Sequence, residues 1–200
     1  MSWKKVLGRW VILMGILVFV QMGCWNPFAP PKEKVFKPPP VELPPLTSPE
    51  NVLENLDYAM NHKDIEIFED VLDEDYTFFE PSLTDSVDYY WGKAEDVELV
   101  GKVFDFYDII EYSLEETGER RYTEYGSNIA PEGAKDISDE HPDENWEVFH
   151  RWVKLYLLDE TRTNGAFIDM EFEFKMRKQK ETDPDTGQPL WRIVRWIDHL

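Results

Sequence analysis

The sequence predicts an α+β domain in which helices come first and an antiparallel sheet follows. Two observations support this fold class. Apolar residues recur at helical spacing in the first part of the domain, and apolar and charged residues alternate strictly near its end. A run of helices followed by a run of strands is typical of α+β proteins.

The N-terminus has the layout of an export signal. Lys4, Lys5 and Arg9 precede an unbroken apolar run of 11 residues, Trp10–Val20. This run is short for a helix that crosses about 30 Å of hydrocarbon, and it matches the apolar region of a signal peptide. We therefore expect residues 1–23 to be a signal peptide.

The only cysteine, Cys24, follows Gly23 directly after this apolar region. A small residue and then a cysteine at this place resemble the lipobox of bacterial lipoproteins. The resemblance implies that Cys24 carries a lipid, including palmitate-type acyl chains, and that the exported protein is anchored to a membrane of the bacterial cell envelope. Two alternatives stay open: an uncleaved anchor helix over about residues 6–22, and a plain signal peptide that leaves a free thiol.

A tether is predicted for residues 24–49. From Pro27 to Pro49, nine of 23 residues are proline, which fixes φ and has no N–H to donate. This composition indicates an extended spacer between the lipid and a domain at 50–200. Docking of the proline-rich segment on a partner is the alternative.

The domain should begin with paired helices. Ser48 is a capping residue, Pro49 suits the first helical position, and Asp64 caps a second helix. A third helix is expected over about residues 94–107.

Strands are expected at 76–79, 109–114, 146–158, 167–177 and 191–198, the third of them bulged. In the fourth, the alternation predicts that Phe172 faces the core and Glu173 faces solvent. A turn is predicted at 183–187, and a long polar connection at 118–145.

These segments, taken in order, resemble the NTF2-like superfamily, which includes SnoaL-like proteins and ketosteroid isomerase. The resemblance rests on the opening SPENVLENLDYAMNHKDIEIFEDVL, the strand DYTFF, the helix WGKAEDVELVGKVFDFY and the closing LWRIVRWID. It implies a cone in which N-terminal helices pack on a curved antiparallel sheet.

The charge and the candidate site residues limit the function. A net charge of −20 repels phosphate backbones, so nucleic acid is not an expected partner. In the isomerase relatives a carboxylate base faces an apolar cavity with a hydroxyl donor across it. Asp198 is the best acid to nominate here, with Tyr89, Tyr90, Tyr107 and His150 as polar groups at a pocket mouth.

Ordinary structural roles are the simpler expectation for these residues: a paired or solvent-facing carboxylate for Asp198 and a partly exposed sheet histidine for His150. The acidic residues at 136–144 and 183–187 lack the spacing of a calcium loop. We therefore expect no catalytic site, no metal and no cofactor.

The sequence thus favours a membrane-anchored, non-catalytic domain that binds a small apolar ligand or an envelope protein. The alternative is an isomerase or hydrolase of the same fold that acts on a hydrophobic small molecule. A buried carboxylate beside a tyrosine or histidine in an open cavity would favour the enzyme.

Replacing Cys24 by alanine should abolish lipid incorporation, because the thiol is the predicted attachment point. Metabolic labelling with a fatty acid, compared between the parent and Cys24→Ala, measures this directly. Label that persists in the variant would contradict the lipoprotein interpretation.

Overall fold

The computed structural model describes residues 41–81 and 89–199, with only the backbone described at 117–120. The predicted signal peptide, Cys24 and most of the tether lie outside the described residues. Among the described helices, none combines the length and apolarity needed to span a membrane.

The predicted helices are confirmed, with small changes in their bounds. They are α1 at Pro49–His62, α2 at Ile65–Asp70 and α3 at Lys93–Phe106. Ser48 Oγ accepts the N–H of Asn51 at 3.2 Å, and Asp64 Oδ1 accepts the N–H of Ile67 at 3.1 Å. Both caps satisfy backbone donors that a first helical turn leaves unpaired.

Within the described ranges, seven strands form one curled sheet in the order β2-β1-β7-β6-β5-β3-β4. Their bounds are β1 Leu72–Glu80, β2 Tyr89–Gly92, β3 Ile109–Gly126, β4 Ile137–Ser138, β5 Asn145–Leu158, β6 Gly165–Thr182 and β7 Pro189–Asp198. The helices pack on its inner face, so the predicted α+β fold class is confirmed. The sheet is mixed rather than wholly antiparallel, because β1 pairs with β7, and β3 with β4, in parallel.

The predicted polar connection at 118–145 is partly wrong. Strand β3 continues to Gly126, so the connection begins later. The irregular pairing lies on β3, where Glu116 and Arg121 face Arg151 and Phe149 of β5. The bulge expected in β5 therefore lies in its partner strand, β3. A bulge adds residues to one strand of a pair and bends that strand locally.

Only one face of β6 follows the predicted alternation of buried and exposed residues. Phe172 is buried on the inner face as expected. Glu173 is also buried, at 8% exposure, so its predicted solvent position is wrong. His150 on β5, His199 beyond β7 and Lys175 lie against its carboxylate and cover it on the outer face.

The folded unit begins at Glu42, before the expected boundary at residue 50. Leu46 is buried in the core, and its carbonyl accepts the N–H of Trp191 at 2.7 Å. Asn55 donates to the Pro44 carbonyl at 2.9 Å. Proline lacks an N–H, but the carbonyls of a proline-rich segment remain acceptors. The last residues of the predicted tether thereby bind to the domain.

Candidate functional site

A cavity of about 400 Å³ lies between the helices and the inner face of the sheet. Its walls are mainly apolar: Met60 and Phe68 come from α1 and α2, Val100 from α3, and Val153 and Phe172 from the sheet. A volume of this size is typical of sites that bind small molecules.

The parallel pairing of β1 with β7 builds one wall of this cavity. Phe78 lies opposite Trp196 in the register, with ring centroids 5.9 Å apart. On the other side, Phe172 meets Trp196 edge to face at 5.8 Å. These ring contacts fix the indole of Trp196 within the wall, because aromatic pairs at such separations attract each other beyond their simple burial.

Three polar atoms on residues that line the cavity are buried and have no hydrogen-bond partner among the described residues. They are the hydroxyl of Tyr112, Nε1 of Trp196 and Oδ1 of Asp198. All three residues are at most 7% exposed. A buried polar group without a partner costs about 1–3 kcal/mol, so each such group in a folded protein requires an explanation.

The backbone around Tyr112 is held firmly in place. Asn61 on α1 accepts the N–H of Tyr112 and donates to its carbonyl, both at 2.9 Å. Burial raises the pKa of the Tyr112 hydroxyl well above its ordinary value, so the hydroxyl stays protonated. It can therefore both donate and accept a hydrogen bond.

Asp198 does not behave like the paired or solvent-facing carboxylate that the sequence suggested. Burial, reinforced by the charge of Glu80, raises the pKa of Asp198 to about 6, while His199 lowers it. Desolvation favours the neutral form of a carboxyl group. The Asp198 carboxyl thus loses its proton in the range between weakly acidic and neutral pH.

Asp96, the second buried acid that lines the cavity, is satisfied within the protein. It accepts a hydrogen bond from the Tyr76 hydroxyl at 2.7 Å and another from Trp91 Nε1 at 3.0 Å. Burial raises the pKa of Asp96, and these two hydrogen bonds oppose that effect. Asp96 therefore serves as a structural anchor for the first turn of α3, in contrast to Asp198.

The other residues nominated from the sequence lie elsewhere. His150 is on the outer face of β5, where it contacts Glu171 and Glu173. Tyr107 packs edge to face on Phe106 and lines a separate shallow pocket. Tyr89 and Tyr90 are exposed on the short strand β2.

Sequence reasoning missed Tyr112 and Trp196 as site residues. Both residues lie inside predicted strands, Tyr112 at 109–114 and Trp196 at 191–198, but neither was nominated for a site. Alternation in β3 and β7 gives the face of each side chain, but a sequence does not show which core-facing polar atom lacks a partner.

Comparisons with known proteins find structural similarity only. No family model matches the sequence, and no curated protein is significantly similar to it. Solved structures are similar: a conserved protein from Planctomyces limnophilus has 13% identity and a TM-score of 0.47, over 74% of this chain and 90% of that one.

Two further structures have names that agree with the resemblance seen in the sequence. An NTF2-like protein of unknown function from Pseudomonas putida has 13% identity and a TM-score of 0.44, over 74% of this chain and 80% of that one. A ketosteroid isomerase-like protein from Erwinia carotovora atroseptica has 16% identity and a TM-score of 0.44, over 76% and 92% of the two chains. At such identities these similarities carry no information about activity.

The two buried tyrosines of this region should respond differently to loss of their hydroxyls. Tyr112→Phe should change the free energy of unfolding by less than about 0.5 kcal/mol or increase it, because the lost hydroxyl has no partner within residues 41–81 and 89–199 as described. Tyr76→Phe should lower it by about 1.5–3 kcal/mol, because it removes a hydrogen bond to the buried Asp96 carboxylate. Urea unfolding of both variants measures the difference, and equal losses would show that the Tyr112 hydroxyl is satisfied in the free protein.

Proposed function

We propose that this domain binds a small, mainly apolar molecule in the cavity between its helices and its sheet. The observation that carries the proposal is a set of three buried polar atoms that have no partner among the described residues, carried by residues that line an apolar cavity of about 400 Å³. The residues that carry these atoms line the cavity and are at most 7% exposed, which favours a small ligand over a protein partner.

The three atoms specify the chemistry of the ligand. Asp198 Oδ1 is an acceptor when ionised, Trp196 Nε1–H is a donor only, and the Tyr112 hydroxyl is both. A ligand with an apolar ring system and a hydroxyl group can donate to Asp198 and accept from Trp196. A carboxylate ligand is disfavoured because Asp198, Asp96 and Glu80 all line the same cavity.

An enzyme of the same fold is the second candidate, and one observation favours it. Asp198 and Tyr112 line one apolar cavity, and each has a buried polar atom that finds no partner in the described part of the chain. A carboxylate that removes a proton next to a hydroxyl that stabilises the resulting oxyanion is an arrangement suited to isomerisation through an enol.

We also propose that the domain works at a membrane of the bacterial cell envelope, anchored through a lipid on Cys24. The support is the position of the only cysteine directly after the apolar region of the signal. Each buried CH₂ of the acyl chains contributes about 0.8 kcal/mol, and two or more chains give stable anchoring. On this proposal, the domain meets its ligand in the cell envelope.

Binding of 2-naphthol tests the proposed cavity function, with naphthalene and 2-naphthoate as matched controls. Equilibrium dialysis of the full-length protein, with a detergent-only blank, should show naphthol bound about 10–100-fold more tightly than naphthalene, because it satisfies buried polar atoms. Naphthoate should bind most weakly. Trp196→Phe should weaken naphthol about tenfold and leave naphthalene unchanged.

Two results would change this account. Equal affinity for naphthol and naphthoate would contradict the proposed cavity chemistry. Deuterium incorporation into 2-tetralone in D₂O, faster with the parent protein than with Asp198→Asn, would assign the enzymatic function instead of simple binding.

A further inference from the structure

The outer face of the sheet carries a cluster of histidine and glutamate side chains, separate from the cavity. His150 on β5 lies directly opposite Glu173 on β6 in the strand register. His199 follows β7, and its backbone N–H donates to the carbonyl of Glu171 at 3.2 Å. Three elements of the sheet thereby bring two imidazoles and one carboxylate together.

The three side chains converge on one point. Nε2 of His150 and Nε2 of His199 each lie 3.3 Å from the same oxygen, Oε2 of Glu173. The three prospective ligand atoms all lie within 4.8 Å of one another. Glu173 is nearly buried and His150 is largely covered, whereas His199 is more open to solvent.

We propose that His150, Glu173 and His199 bind a divalent transition-metal ion, with zinc as the best fit. Zinc bonds to nitrogen and oxygen are about 2.0–2.1 Å long in a tetrahedral arrangement, which places two ligand atoms about 3.4 Å apart. The two measured separations of 3.3 Å match this spacing. Two histidines and one carboxylate leave a fourth position for water on the solvent side.

Glu171 supports the proposed ligand His150 through a side-chain contact. Its Oε1 lies 3.0 Å from Nδ1 of His150, which orients the ring so that Nε2 faces Glu173. Ligating histidines almost always donate their second N–H to such a carboxylate, and this contact makes the ligand nitrogen more basic. Lys175 lies 3.6 Å from the other oxygen of Glu173, Oε1, and leaves Oε2 to the two histidines.

A plain histidine–glutamate ion pair is the alternative, and the protein itself contains one for comparison. Nε2 of His141 lies 2.6 Å from Oε1 of Glu124, a short contact with the length of a charge-assisted hydrogen bond. The separations around Glu173 are longer by 0.7 Å, and two imidazoles share one oxygen atom. A separation of 3.3 Å suits two ligand atoms that share one tetrahedral ion, whereas the 2.6 Å of the His141 pair is too short for this.

Zinc titration of the metal-stripped, full-length protein tests this site. Calorimetry should show one ion bound per chain, and His199→Gln should weaken binding at least 100-fold. Glu171→Gln should weaken it about 10–100-fold, the usual effect of losing such a supporting contact. The matched control is His62→Gln, since His62 is an exposed histidine that stacks on Tyr58 of α1, and it should leave the affinity unchanged.

His199 is the decisive position, because its side chain is 42% exposed and its replacement leaves the core intact. Zinc should raise the melting temperature of the parent and of His62→Gln, since an ion that binds only the folded state stabilises it, and should not raise that of His199→Gln. No saturable binding, or equal affinity in His199→Gln and the parent, would overturn the proposal.

Discussion

The parallel pairing of β1 with β7 is the constraint on which the rest of the domain depends. These strands come from opposite ends of the folded unit, and their register sets Phe78 beside Trp196 in the cavity wall. The same pairing carries Asp198, at the end of β7, to a cavity that Glu80 also lines. A shift of one residue would turn these side chains to the outer face, so the register determines the site.

Residues that line the cavity show two arrangements of buried polar groups. Asp96 is paired by Tyr76 and Trp91, and this arrangement stabilises the start of α3. Tyr112, Trp196 and Asp198 each keep a buried polar atom that pairs with none of the described residues, which lowers the stability of the free protein. Such a cost is understandable where a ligand supplies the missing partners, and this is the basis of the proposed binding function.

The local sequence pattern was sufficient to predict the helices and strands but not the candidate site. Ser48, Pro49 and Asp64 predicted two helix starts, because capping depends on residues close in sequence. The burial of Glu173 and the binding of Leu46 to Trp191 could not be predicted, because each depends on a strand far away in the chain. Asp198 was nominated from its place on the last strand, but its lack of a partner depends on tertiary packing.

The proposed binding function requires that a ligand supply partners to the buried polar atoms, and the indole N–H signals test this most directly. In ¹H–¹⁵N spectra of the full-length protein, addition of 2-naphthol should move the Trp196 Nε1–H resonance downfield, because this group gains its first acceptor. The Trp91 Nε1–H already donates to Asp96 at 3.0 Å and should stay in place. A Trp196 resonance that does not move, or one that moves no more than that of Trp91, would contradict the account.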